Sequence, residues 1–168
     1  MEVIVVSGTP GTGKTFVSKK IAKKLKFYYL DVNKAVSKYT LLEGYDKKRK
    51  TMIVDTKKLN KFLVMFIKNL EDNKMSKGEK GVVIDSHLSH YLPKEMVGLC
   101  IITKCDIREL SKRLKNKKFS KSKIKENLEA EIFNVCYNEA LEIGHDVLAA
   151  DTTKGFNINK IANKIRGE

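Results

Sequence analysis

At 168 residues, 42% of them hydrophobic and only two of them proline, the chain has the size and composition of one globular domain, which excludes a disordered or fibrous protein. Thirty-four Lys and Arg against 20 Asp and Glu give a net charge of +14, which fits either a solvated Lys-rich surface or a polyanionic partner such as nucleotide or RNA. No apolar run reaches the roughly 18 residues of a membrane span, MEVIVV reads as a strand rather than a leader, and three scattered cysteines make no disulfide framework, so a cytoplasmic chain with buried thiols is expected.

In chain order, EVIVVS is a continuous apolar run closed by glycine, the pattern of a strand buried on both faces. KTFVSKKIAKKLK follows with Val17, Ile21 and Leu25 four apart, an amphipathic helix, and FYYLDV reads as the second strand. Residues 57–72 set Leu59, Phe62, Leu63, Phe66, Ile67 and Leu70 on one stripe, predicting a helix before the strands GVVIDSH and GLCIITK. Asp106 stands where a helix N-cap is needed, and a second long helix is predicted over 121–142 because neither Gly nor Pro occurs between Leu99 and Ile143. HDVLAAD and NINKIANKIRG add a fifth strand and a closing helix. Strands alternating with helices predict a three-layer α/β/α fold around a parallel sheet, in a single domain over 1–168.

Gly8-Thr9-Pro10-Gly11-Thr12-Gly13-Lys14-Thr15 matches G-x-x-x-x-G-K-[ST] in full and lies between a predicted strand and helix, which makes it a specific P-loop signal. The glycines let the backbone curl until its N–H groups point at phosphate oxygens, and the helix behind adds unpaired donors and its positive dipole end. Lys14 is then placed for the β- and γ-phosphates, and the Thr15 hydroxyl for Mg²⁺. Asp85, at the end of an apolar strand, supplies a carboxylate at the same sheet edge for the metal. The loop and this carboxylate lead one to expect a nucleoside triphosphate with Mg²⁺.

Three other patterns compete for a role. Asp85, His87 and His90 include two histidines three apart, but no third nitrogen or sulfur ligand is near, which argues against zinc. His87 is the better candidate for polarising a water or γ-phosphate, and His90 is left to face solvent. TKCD at Thr103–Asp106 spells the guanine-reading N/T-K-x-D, yet the glycine of D-x-x-G is missing after Asp85, which favours a helix cap at Asp106. Residues 112–125 carry eight Lys or Arg and no acid, a density that wants anionic company.

The P-loop strand, an insertion after the second strand and a basic stretch between two C-terminal helices resemble the nucleoside monophosphate kinases. More narrowly, GTPGTGKT, YLDVNKAVSKYTLLEGYD, VVIDSHLSHYLP and the stretch RLKNKKFSKSKIKENLEAEIFNVCYNEA are similar to the adenylate-kinase-like ATPases of ribosome maturation, the archaeal and eukaryotic family that includes the coilin-interacting nuclear ATPase. Asp85-Ser86-His87, Glu43-Gly44-Tyr45-Asp46 and the motif from Lys123 to Phe133 are its most specific parts.

The resemblance implies ATP + AMP = 2 ADP with weaker ATP hydrolysis, and a role in small-subunit rRNA maturation through transient binding of ribosomal protein uS11 on the pre-ribosomal small subunit. It implies that Gly11, Thr12, Gly13, Lys14, Thr15 and Phe16 surround the ATP phosphates, that Lys14, Asp85 and His87 serve catalysis, and that Thr153 and Lys154 lie beside adenine. A helical monophosphate-binding segment is implied over about 31–54 and a lid over about 116–126. Two positions depart from the family: Lys117-Lys118-Phe119 replaces R-G-Y, and Ser37 with Lys38 stands where an Arg is common, so a planar clamp becomes a point charge. An ATP-switched assembly factor with little AMP kinase activity is the alternative, docking a basic protein on Glu126, Glu129 and Glu131. RNA proximity follows from the charge; a stacking platform does not, because Phe119 alone interrupts the lysines.

Overall fold

The computed structural model describes residues 1–38, 42–46, 51–72 and 79–167. Its central sheet contains β1 (Glu2–Ser7), β2 (Tyr28–Asp31), β5 (Gly81–Asp85), β6 (Leu99–Lys104) and β7 (Val147–Asp151), all parallel, in the order β2-β5-β1-β6-β7. The apolar strands form where expected because every residue from Val3 to Ser7 is buried.

Alternation along β1 divides the interior. Val3 and Val5 pack with Leu59, Leu63 and Ile67 of α3 (Thr56–Glu71), whereas Ile4 and Val6 pack with Val17 and Ile21 of α1 (Lys14–Leu25) and Ile161 of α7 (Ile158–Arg166). Each such aliphatic side chain contributes about 1.5–3 kcal/mol when fully buried, so the two helical layers clamp the sheet from both faces. The helices are bounded by side-chain caps: Asp55 accepts from Lys57 and Lys58 N–H, and Asn157 from Asn159 and Lys160 N–H.

Among the described residues, the segment after β2 is helical only at its start. α2 (Val32–Lys38) is followed by an antiparallel hairpin of β3 (Leu42–Asp46) and β4 (Thr51–Val54). Residues 39–41 and 47–50, and the side chains of Ser37, Lys38 and the E-G-Y-D motif, lie outside the described residues.

The long helix predicted over 121–142 is two helices. α5 (Lys121–Ile132) ends at Phe133, and α6 (Val135–Glu142) starts after Asn134, which takes left-handed angles of φ 53° and ψ 35°. Asn tolerates that conformation better than most side chains, so a chain without Gly or Pro still turns here. The basic stretch is mostly helical too: its start, residues 112–116, closes α4 (Ile107–Asn116), and only Lys117–Ser120 lie between helices. Phe119 packs on Leu110 and Leu114, and Lys123 Nζ sits 4.5 Å from its ring centroid.

Candidate active site

The end of β1, the loop 8–13 and the first turn of α1 open into a crevice of about 1040 Å³ at the carboxyl edge of the sheet, the place where open α/β sheets bind ligands. Gly13 caps α1 with no side-chain hydrogen bond, leaving the dipole end for an anion. Gly11 takes φ 95°, and a Cβ there would stand 2.9 Å from Leu110 Cδ1 and Leu114 Cδ2, so the loop can lie against α4 only without a side chain.

Lys14 turns back onto the loop. Its Nζ donates to the carbonyls of Gly8 (2.8 Å) and Thr9 (3.0 Å). Desolvation pushes its pKa down to about 8, with Lys117 acting in the same direction and Asp85 against it.

Asp85 is buried beside Val6 in the strand register and accepts a 2.9 Å hydrogen bond from Tyr29 Oη at Oδ2. Burial and this bond to the carboxylate hold the Tyr29 phenol above its ordinary pKa, so Tyr29 remains a donor. Asp85 and the exposed Thr15 both line the crevice. A carboxylate and a hydroxyl are hard oxygen donors, the set that suits Mg²⁺.

The histidines separate. His87 lines the crevice, its pKa pushed down to about 4 by desolvation and then by Lys14. His90 does not face solvent: it is 1% exposed, with Nδ1 2.6 Å from Ser7 Oγ and Nε2 3.0 Å from Glu139 Oε2. The carboxylate only accepts, so Nε2 donates to Glu139. Because desolvation keeps the ring neutral, Nδ1 then accepts from Ser7.

Among the other sequence candidates, Phe16 and Lys117 line the crevice. Phe16 is half exposed and stands edge-to-face with Phe156, ring centroids 5.7 Å apart. Thr12 is buried, and its hydroxyl serves Thr9 O (2.7 Å) and Thr103 Oγ1 (2.6 Å), so its side chain faces away from the crevice. Thr153 and Gly155 line the crevice while Lys154 between them is exposed outside it. TKCD is structural: Asp106 accepts from Arg108 and Glu109 N–H as the cap of α4, and Lys104 Nζ pairs with Glu131 at 3.0 Å.

The acidic face expected on α5 is not there as a set. Glu131 points inward and is 5% exposed, and Glu129 lies 3.8 Å from Lys125 Nζ. Nor does the sequence single out Arg113, which lines the crevice and donates to Thr152 Oγ1 (3.1 Å) and Thr152 O (2.9 Å). Thr152 in turn donates to Thr12 O (2.6 Å), so Arg113 braces the loop behind the phosphate cradle. Hydrogen bonds from charged donors are worth about 1.5–3 kcal/mol, so Arg113→Ala is expected to raise the nucleotide KM about tenfold, read by steady-state kinetics.

The family model described as AAA domain matches residues 4–134. An adenylate kinase isoenzyme 6 homologue of Caenorhabditis elegans is 31% identical, over 93% of this chain and 84% of its own length. A protein of the same name in Schizosaccharomyces pombe is 34% identical, over 83% of this chain and 72% of its own. A solved deoxyadenosine kinase from M. mycoides matches the fold with a TM-score of 0.56 at 17% identity, covering 99% of this chain and all of that one. With its phosphate loop, strand-end aspartate and parallel sheet in place, the chain belongs to the AAA-domain family, among the adenylate kinase isoenzyme 6 homologues.

Proposed function

We propose that the chain passes the γ-phosphoryl group of ATP to AMP, giving two ADP. The observation that carries this reading is the size of the crevice. At about 1040 Å³ it stands at the top of the range of roughly 300–1,000 Å³ typical of ligand clefts, ample for a nucleoside triphosphate, and the proposal seats the acceptor phosphate in the remaining space. The phosphate cradle and Lys117 line it, and so do Lys19 of α1, Asn33 of α2 and His87 from the turn after β5. Names of the relatives support the same chemistry.

Lys14 exchanges the Gly8 and Thr9 carbonyls for β- and γ-oxygens, while the amides opening α1 hold the chain of phosphates in line. Asp85 and Thr15 would hold Mg²⁺, which when bound neutralises charge on the phosphate oxygens. Tyr29 fixes the Asp85 carboxylate. Lys117 brings positive charge from the turn between α4 and α5, as a point charge rather than a fork. His87, neutral in the free protein, orients an acceptor oxygen or a water by hydrogen bonding.

The family resemblance extends the proposal to slow ATP hydrolysis and to small-subunit rRNA maturation through ribosomal protein uS11. Exposed lysines along α4 and α5 support proximity to RNA, but Glu131 is unavailable to a basic partner. A coupled assay of ADP formation tests the reading. Stimulation by AMP at least tenfold above hydrolysis supports the kinase; hydrolysis indifferent to AMP that rises only with uS11 or RNA replaces it with an ATP-switched assembly factor.

A further inference from the structure

An acid one residue from the end of α5 belongs in water on spacing alone, yet Glu131 is buried and fully engaged. Thr9 Oγ1 donates to its Oε2 at 2.6 Å, Cys105 N–H donates to Oε1 at 3.0 Å, and Lys104 Nζ lies 3.0 Å from Oε1. Lys104 Nζ also reaches Asn134 Oδ1 at 2.6 Å, which ties the α5–α6 break to the same point. Removing a carboxylate from water is costly, so this cluster holds only while its donors stay in place.

The residue it grips is the hub of the phosphate loop. The Thr9 carbonyl accepts from Thr12 N–H (3.2 Å), Thr12 Oγ1 (2.7 Å) and Lys14 Nζ (3.0 Å). When Lys14 leaves for a phosphate, the loop loses the cation that organises it from inside. Thr9 Oγ1 keeps its partner, because Glu131 reaches it from a different helix.

We propose that Glu131 is a positioning residue: the end of the helix that follows the basic turn latches Thr9, keeping the phosphate loop curled while Lys14 changes partners. The latch touches no nucleotide atom and acts through the loop. It also fixes α5 to the cradle at one end, while the other end begins at the turn carrying Lys117. The Ser7–His90–Glu139 chain is a separate tether, from the loop's entrance to α6. This inference rests on the nucleotide-binding reading above.

The test is calorimetric titration of ATP into wild type, Glu131→Gln, Thr9→Val and the double variant, with melting curves and steady-state kinetics on each. Gln keeps the shape and replaces the charged acceptor by a neutral amide; Val removes the hydroxyl donor from the loop side, so the measurement survives if one variant fails to fold. The latch predicts that each single variant weakens ATP binding about tenfold, that Glu131→Gln keeps kcat within about twofold of wild type, and that the double variant is no weaker than either single. Singles that melt lower but bind ATP within twofold of wild type reduce Glu131 to a structural residue and overturn the inference alone, as do effects that add in the double variant. Wild type that fails to bind ATP overturns both the inference and the function it rests on.

Discussion

Lys14→Met is expected to lower kcat by about 10²–10³ without lowering the melting temperature of the nucleotide-free protein. Loss of one preorganised charge-stabilising donor has that kinetic size. The stability half follows from burial. The folded pKa of about 8 lies below the ordinary 10.5, so the fold disfavours the charged lysine, and a methionine of similar length removes that penalty. The sign with pH is fixed. Below pH 8 both folded and unfolded forms carry the proton and the penalty is fully present. Between 8 and 10.5 the unfolded chain binds more protons, so wild-type stability rises relative to the variant. Activity moves the other way, since neutral lysine does not neutralise phosphate. Wild-type kcat/KM falls as pH rises past about 8, a limb absent from the variant. Melting curves and pH–rate profiles of the two proteins check both halves.

Gly8→Ala is expected to cost about 3 kcal/mol or more of stability and to abolish nucleotide binding. Gly8 holds φ 131°, and a Cβ there would lie 2.6 Å from the carbonyl oxygen of Thr103 and 2.7 Å from its hydroxyl. Thr103 is in β6, paired through the sheet with Ala150 of β7, so the neighbour that must yield is backbone of the central sheet rather than a side-chain tip. The strain falls at the mouth of the cradle, where the loop leaves β1. Urea unfolding with ATP titration of the refolded variant measures both losses; stability within 1 kcal/mol of wild type contradicts the geometry.

The five-stranded core and the phosphate cradle were legible because their signals are local. VIVV and VVI are unbroken apolar runs, and the spacing of Gly8, Gly13 and Lys14 serves one chemistry. Asp106 could be read as a cap from its place before a helix, and its carboxylate indeed accepts from Arg108 and Glu109 N–H. What was not legible depends on partners distant in sequence. Glu131 resembles any solvated helix acid until Thr9, 122 residues away, comes within 2.6 Å. His90 looks like a loop histidine until Ser7 and Glu139 close on it from two elements. The break at Asn134 has no Gly or Pro to announce it, and the paired strands β3 and β4 lack the alternating apolar pattern that marks strands. Arg113 was one cation among eight until its fork met Thr152.

The central claim, one crevice for two nucleotides joined through their phosphates, is tested most directly by titrating the protein with diadenosine pentaphosphate in a calorimeter. The account predicts one molecule per chain, bound at least tenfold tighter than ATP and competed off by ATP and AMP together. Binding no tighter than ATP, or two molecules per chain, contradicts it.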